Sequence, residues 1–325
     1  MSVREELLRL LNNERGVYHS GAALARALGV SRNAVWKAAE SLKAVGVPLR
    51  SEPRQGYLLP RDADTLTKFS VEQALRGAAA GLSIQVEQEV SSTNTLLKER
   101  AAAGAPHGAV LIAGAQKSGR GRMGRAFFSP GGTGLYLSVL LRPTLLAEDA
   151  LLLTAAAAVA AAEAAEELSG RSCAIKWVND IFCNGKKVCG ILTEAALDLE
   201  SGGLEYAVVG AGFNLSPPPG GFPEDLLPVA GALFDGPTPP DGRARLAAGF
   251  LRRFLCSYQG LPDPAFLDGY RARSLLTGRR VALSSHPGEA FTVTGIDERC
   301  RLLVRDGQGR FRAVASGEAS ALPVD

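Results

Sequence analysis

Cysteine is scarce in this 325-residue chain. There are five, Cys173, Cys183, Cys189, Cys256 and Cys300, an odd number with no Cys-x-x-Cys pair. That argues against a disulfide framework and reads as reduced thiols in a cytosolic protein. Histidine is scarcer still: His19, His107 and His286 lie far apart and share no ligand spacing, so neither a zinc site nor a Ser-His-Asp triad is expected. The most apolar run, "ALLLTAAAAVAAA" at Ala150–Ala162, is too short and alanine-rich to span a bilayer, and Glu163, Glu166 and Glu167 follow it. It predicts a buried helix from about Ala147 to Ser169-Gly170, and no membrane association. The opening "MSVREELLRLLNNE" is charged and amphipathic, unlike a secretory leader. A net charge of +3 is too small to make the whole surface a polyanion binder. The 46% hydrophobic and 21% charged residues fit a soluble globular protein of two or three domains.

The positive charge is not spread evenly. Residues 1–61 hold ten Lys/Arg and five Asp/Glu, a net of +5, which leaves −2 for the remainder. In that basic segment "REELLRLLNN" places Leu7, Leu8, Leu10 and Leu11 on one helical face. Ser20 is a candidate N-cap and Gly29 a stop for a second helix. Ser31 caps a third that ends at Gly46, with Val35, Leu42 and Val45 inward. Two short helices across a Gly-Val-Ser turn match a helix-turn-helix. The second presents Ser31, Arg32, Asn33, Trp36 and Lys37, donors suited to base edges and phosphates in a major groove. "VPLRSEPRQGYLLP" then reads as a two-stranded wing with Gly56 and Tyr57 at its return. DNA binding as a dimer is the expectation, against a small protein-binding helical domain as the alternative. Pro60–Ser70 reads as a linker.

Beyond it, "SIQVEQEVSSTNTLLKERAAAG" passes from strand to helix, with Ser91, Ser92 and Thr93 at the junction and Asn94 opening the helix. As caps these residues need no further explanation; at a helix N-terminus they also suit polar groups of a small ligand. A strand at Ala109–Ala115 leads into "SGRGRMGRAFFSPGGTG". Gly119, Gly121 and Gly124 spell G-x-G-x-x-G, yet no helix follows and the first acid beyond is Glu148, so a dinucleotide turn is rejected. Glycines that expose backbone N–H groups, beside Arg120, Arg122 and Arg125, fit a mobile loop that closes over an anion. A solvated basic loop or an RNA-type Arg-Gly contact is the alternative.

"CAIKWVNDIFCNGKKVCGILTEAAL" puts Ile175 and Trp177 on one strand face, with Lys176 and Val178 on the other. A hairpin follows, through an Asn184-Gly185 turn, with Lys187 starting the return strand and Glu194 ending it. "EYAVVGAGFNLS" is a further strand through Gly210, Gly212 and Asn214. Lys176, Asn179, Asp180, Lys187 and Asn214 then fall at adjacent strand ends beside the Arg-Gly loop, a cluster that suits an anionic substrate. Ser216–Gly242 is a Pro/Gly-rich connection, and "RARLAAGFLRRFLCSYQG" an amphipathic helix. From about Leu276, alternation with turns at Pro287-Gly288, Asp297-Glu298 and Asp306-Gly307 predicts a five-strand barrel of SH3 type.

These segments resemble the bifunctional biotin protein ligase and biotin operon repressor family of bacteria. The motifs are "SSTN" (Ser91–Asn94), "GRGRMGR" (Gly119–Arg125), "FSP" (Phe128–Pro130), "KWVND" (Lys176–Asp180), "KVCGILTE" (Lys187–Glu194), "GAGFNL" (Gly210–Leu215) and "GEAS" (Gly317–Ser320). The resemblance implies an α/β multi-domain chain: a winged helix-turn-helix at 1–61, a linker at 62–70, a central domain like class II aminoacyl-tRNA synthetases at 71–274 and an SH3-like β-barrel at 275–325. It implies ATP with Mg²⁺ as co-substrate, biotin as substrate, a biotin carboxyl-carrier protein as acceptor, and operator DNA bound by a homodimer whose corepressor is biotinyl-5′-AMP. Biotin or its adenylate is assigned to Ser92, Thr93, Asn94, Gln116, Gly119, Arg120, Gly121, Arg122, Lys176, Asn179, Lys187 and Asn214. Lys187 and Arg122 carry the catalytic roles, with Asp180 left between orienting or deprotonating the acceptor lysine and holding Mg²⁺. No fixed metal site belonging to the protein itself is expected. Met123, Phe127 and Val178 depart from residues seen in relatives (arginine, tryptophan and proline). A regulator that only senses ligand, and a lipoate-type ligase, are the rivals.

Overall fold

The structure is a computed structural model and describes residues 2–77, 81–198, 200 and 202–322. Its first unit is three helices and a hairpin: α1 (Val3–Asn13), α2 (Gly21–Leu28), α3 (Arg32–Ala44), β1 (Arg50–Glu52) and β2 (Gly56–Leu58). Local chemistry sets each boundary. Ser2 and Glu5 form a capping box on α1, Ser20 and Ser31 cap α2 and α3, and Gly29 closes α2 in the left-handed conformation. Leu7, Leu11, Leu24, Val35 and Leu42 meet in one small core.

The segment expected as linker is not slack. Its last three residues are the first turn of α4 (Lys68–Leu75). Before that, Asp64 accepts from Arg243 Nε at 2.6 Å, and the pair is largely shielded. Arg15, at the end of α1, donates to Ala63 O at 2.9 Å and to the Asp241 carboxylate, which Thr65 also meets. Two buried-edge arginine–aspartate pairs therefore tie the N-terminal unit to the central one.

The central unit adds β3 (Ser83–Glu87), α5 (Thr93–Ala102), β4 (Ala109–Ala113), β5 (Gly134–Leu141), α6 (Ala150–Ser169), β6 (Cys173–Lys176), β7 (Asp180–Cys183), β8 (Lys186–Leu197), β9 (Leu204–Asn214), α7 (Gly242–Gln259) and α8 (Leu267–Ala272). Seven strands pair in the order β3-β4-β5-β9-β8-β7-β6, with only β3 and β4 parallel. The alanine run of α6 is buried along most of its length, because small side chains let α6 and α7 pack closely behind the sheet. A single turn of 3-10 helix, Ala147–Asp149, precedes α6, three residues ahead of the α-helix proper.

Two strand expectations need correction. Trp177 and Val178 do not alternate between faces. The strand ends at Lys176 and both side chains are buried, Trp177 donating to Cys300 O at 2.9 Å. Lys187 is second in β8, and Glu194 stands well inside it rather than at its end.

The last strands are β10 (Arg280–Leu283), β11 (His286–Ile296), β12 (Leu302–Arg305), β13 (Phe311–Val314) and β14 (Ala319–Ala321). They form an antiparallel sheet in the order β13-β12-β11-β10-β14, and among the described residues β13 and β14 do not pair with each other. The first turn falls at Ser284-Ser285, not Pro287-Gly288, which lie within β11 at the irregularity in the β10–β11 register. Val281, Phe291, Leu302 and Val304 join the same apolar core as Ile175 and Tyr270. No helix among the described residues is long and apolar enough to cross a membrane.

Candidate active site

The sheet surface that floors the cleft carries few side chains because it is built from glycine. Gly190 on β8 and Gly212 on β9 face each other across the ladder, between Asp180 on β7 and Tyr136 on β5. On this floor lies Phe127. A Cβ on Gly212 would stand 2.6 Å from its ring, and one on Gly190 3.2 Å from it and from Lys187 Cε. Burial of Tyr136, edge-on to Phe127 at 6.3 Å, pushes its phenol pKa up.

Around the floor stand the cations. Lys187 Nζ is 2.7 Å from Asp180 Oδ1, an ion-pair separation without hydrogen-bond alignment, and that buried oxygen has no hydrogen-bond partner. Arg122 donates to Asn179 Oδ1 at 3.0 Å and to Gly317 O at 3.1 Å, so the loop is pinned to both the central sheet and the C-terminal strands. Arg125 pairs with Glu318 at 2.8 Å. The loop itself is a tight hairpin. Arg120 and Ala126 form a bridge, Gly121 donates to Arg125 O at 2.7 Å and Phe127 to Gly119 O at 2.9 Å. One 3-10 turn, Arg122–Gly124, makes its tip, where Met123 has a φ of 55° and points into solvent. In this structure the loop lies docked against the central sheet and the C-terminal strands. Gly119 has no room for a side chain, since its place is taken by Ser129 Oγ and Phe127 O.

The third wall is the start of α5. Ser92 caps it, accepting from Thr95 N at 3.4 Å. Gln116 Oε1 accepts from Thr93 N at 2.8 Å, and its Nε2 donates to Ser129 Oγ at 3.1 Å. Asn94 is buried and committed on every side. Its Nδ2 donates to Leu192 O (3.2 Å) and Glu194 Oε2 (3.0 Å), while its Oδ1 accepts from Ser138 Oγ (2.7 Å). Burial pushes the Glu194 carboxyl up. Hydrogen bonds from Lys98 and Asn94, and the charges of Lys98 and Arg120, outweigh that and leave it below 4.5.

The structure gathers Ser92, Thr93, Asn94, Gln116, Arg120, Gly121, Arg122, Asn179, Asp180 and Lys187 around one cleft. Gly119, Lys176 and Asn214 stand outside its lining; Asn214 donates to Gly231 O at 3.1 Å, holding the connection that follows β9. Arg125, Phe127, Gly190 and Glu318 line it without having been singled out as site residues from the sequence. Phe127 lay beside the Arg-Gly motif, but its place over two glycines depends on strands far along the chain.

In the N-terminal unit, Ser31, Arg32, Asn33, Trp36 and Lys37 are all exposed on one side of α3, and Trp36 keeps 53% of its surface. Arg32, Asn33 and Trp36 share a cleft with the wing residues Arg54 and Tyr57.

Comparison with known proteins decides the family. A model of the biotin/lipoate A/B protein ligase family matches residues 86–214, and one described as an HTH domain matches residues 3–58. The bifunctional ligase/repressor BirA of Bacillus subtilis is 35% identical over 232 residues, 71% of each chain. The chain belongs to the BirA-type biotin ligase/repressor family. The biotin--[acetyl-CoA-carboxylase] ligase of Mycobacterium tuberculosis is 33% identical to this BirA-type chain over 265 residues, 78% of this chain and 94% of that one. Among solved structures, the biotin protein ligase of Aquifex aeolicus in complex with biotin and ATP superposes with a TM-score of 0.60 at 28% identity. It covers 73% of this BirA-type chain and 97% of that one.

Proposed function

We propose that the protein joins biotin to ATP as biotinyl-5′-AMP, releasing pyrophosphate, then passes biotin to a lysine of a biotin carboxyl-carrier protein. We propose also that, as a homodimer carrying that adenylate, it binds operator DNA in the cytoplasm and represses biotin synthesis genes. The observation that carries the enzymatic reading is the glycine-floored cleft, with Lys187, Arg120 and Arg122 converging on it.

Both reactants of the first step are anions. A biotin carboxylate oxygen attacks the α-phosphorus, and the bond to pyrophosphate breaks. Their Coulombic repulsion falls when cations stand beside them in a site shielded from water. Lys187 bridges carboxylate and α-phosphate in this reading; its ion pair with Asp180 lacks hydrogen-bond alignment, so it has donors to give. Arg120 and Arg122 hold phosphate oxygens and, with the docked loop, keep water from the mixed anhydride. Ser92, Thr93, Asn94 and Gln116 frame the ureido end. Asn94 acts there through the shape it holds, since its own hydrogen bonds are taken within the protein.

In the second step the acceptor amine attacks the acyl carbon, AMP leaves, and the amine loses a proton. Asp180, whose Oδ1 already stands 2.7 Å from Lys187 Nζ, is placed where its carboxylate would meet a second cation, either that lysine ammonium or the magnesium that accompanies ATP. Residues 1–61 form the winged reader, 62–70 the joint, 71–274 the synthetase-like ligase domain, and 275–325 an SH3-like barrel whose last three residues lie outside the described residues. Arg32, Asn33, Trp36 and Lys37, from the Ser31 cap onward, face the major groove.

Isotope exchange between pyrophosphate and ATP tests the first step. It should appear only when biotin is present, and lipoate should not replace biotin. Exchange that proceeds with lipoate, or not at all, refutes the assignment.

A further inference from the structure

Glu194 is a carboxylate with three partners on two other elements. Lys98 Nζ stands 2.7 Å from Oε1, Arg120 reaches the same oxygen at 3.4 Å, and Asn94 Nδ2 donates to Oε2 at 3.0 Å. Its side chain is only 16% exposed. Lys98 and Asn94 lie on α5, Glu194 on the middle of β8, and Arg120 on the loop. Each partner answers a different need. Lys98, together with Arg120, supplies the countercharge that lets a largely buried carboxylate stay ionised. Asn94 is turned by Glu194 so that its other amide hydrogen meets Leu192 O and its carbonyl meets Ser138. Arg120 is the cation at the root of the loop whose tip is held separately by Asn179, Gly317 and Glu318.

We infer that Glu194 is a positioning residue, a latch that holds the root of the Arg-Gly loop and the Asn94 wall in one arrangement before substrate arrives. This deepens the ligase reading and rests on it for its kinetic consequence. Glu194 itself does not line the cleft, so it acts through Asn94 and Arg120. The end of the cleft it governs is the one framed by Asn94, Leu192 and Gly210. The far end, with Lys187 and Asp180, has its own supports. The latch therefore bears first on the group bound at the Asn94 end, which is the biotin ring, and through Arg120 on the phosphate beside it. A neutral amide keeps the shape of Glu194 but weakens three charge-assisted contacts.

The test is E194Q in the full chain, with steady-state kinetics for biotin and ATP and timed trypsin digestion, which reads loop docking through cleavage after Arg120, Arg122 and Arg125. The inference predicts a biotin KM about tenfold higher, a smaller rise of about threefold in ATP KM through the loosened Arg120, and several-fold faster loop cleavage. K98M removes the α5 strut but leaves Glu194 with Arg120. Its biotin KM should stay within about threefold of wild type, with the loop still protected. If K98M reproduces the E194Q changes, the cluster is a strut and the latch is wrong; unchanged biotin KM and cleavage in E194Q also overturn it. Should E194Q not fold, E194D keeps the charge but withdraws it from Arg120, and the same shifts, smaller, are expected; their absence refutes the latch. Trypsin protection needs no turnover. A wild-type chain that fails to transfer biotin would therefore sink the ligase reading while leaving the latch to be judged on its own.

Discussion

Adding a single methyl group at Gly210 should damage the cleft more than removing many of its side chains. An ideal Cβ on Gly210 stands 3.0 Å from Asn94 Cγ, closer still to its Oδ1, and 3.3 Å from Ser138 Oγ. Both neighbours are buried and hydrogen-bonded to each other, so neither has an empty direction to move in. Overpacking of this kind costs about 1–3 kcal/mol. Displacing Asn94 weakens its bonds to Leu192, Glu194 and Ser138, at about 1 kcal/mol each where they break. Against that, alanine removes unfolded-chain freedom and returns about 0.4–1 kcal/mol. The unfavourable part wins, and G210A should be less stable by about 2–3 kcal/mol, taken from the overpacking range and partial loss of the Asn94 bonds. Urea unfolding followed by circular dichroism measures it, alongside biotin affinity by calorimetry, which should fall in the same variant. Gly260→Ala is the control: its nearest neighbour is 3.5 Å away, and its φ of −86° suits any residue. It should stay within about 0.5 kcal/mol of the parent. A G210A protein as stable as wild type, with unchanged biotin affinity, would refute the packing argument for the Asn94 wall.

Three further outcomes follow from other parts of the molecule. K187A should slow pyrophosphate release at least about 10²-fold with its circular dichroism spectrum intact; a normal rate would remove Lys187 from the chemistry. Burial pushes the Cys173 and Cys300 thiols up to about 12 and raises those of Cys183 and Cys189, while Cys256 is exposed. Iodoacetamide at pH 8 should therefore modify Cys256 alone in the native protein, read by peptide mass, and labelling of several sites would contradict the packing. Burial pushes Glu166 up, but hydrogen bonds from Arg273 and the Cys173 N–H, with the Arg273 charge, bring it below 4.5. A depressed carboxylate stabilises the fold above the unfolded value and loses that contribution as pH falls through the folded one. The melting temperature should then drop less steeply in E166Q than in wild type on acidification below about 4.5, and parallel curves would discount the pair.

What the sequence reveals sorts by distance along the chain. Ser20, Gly29 and Ser31 act on backbone within a few residues, so the helices of the N-terminal unit and their order are plain from their caps. The Asn184-Gly185 turn is equally local, with both residues at positive φ as the tight hairpin demands. The misread places, Trp177-Val178, the strand end set at Glu194 and the turn at Pro287-Gly288, lie where the chain departs from the expected alternation or strand length, and only the packed neighbours reveal that. In the cleft, the Arg-Gly loop and Lys187 stand out because their residue types are unusual in ordinary loops and strands. Phe127 over Gly190 and Gly212, and Glu194 beneath Asn94 and Arg120, are invisible in the chain because each joins residues some 60 to 100 positions apart. Such contacts are created by the strand order β5-β9-β8-β7, which no local pattern announces.

The central claim is that one chain activates biotin with ATP and delivers it to a carrier lysine. The most direct measurement mixes the purified protein with biotin, magnesium ATP and a biotin carboxyl-carrier domain, and follows the carrier by intact mass. A single mass increment equal to biotin less water, dependent on ATP and absent when the acceptor lysine is replaced by arginine, is the predicted result. A carrier of unchanged mass, with no pyrophosphate formed, would contradict the account.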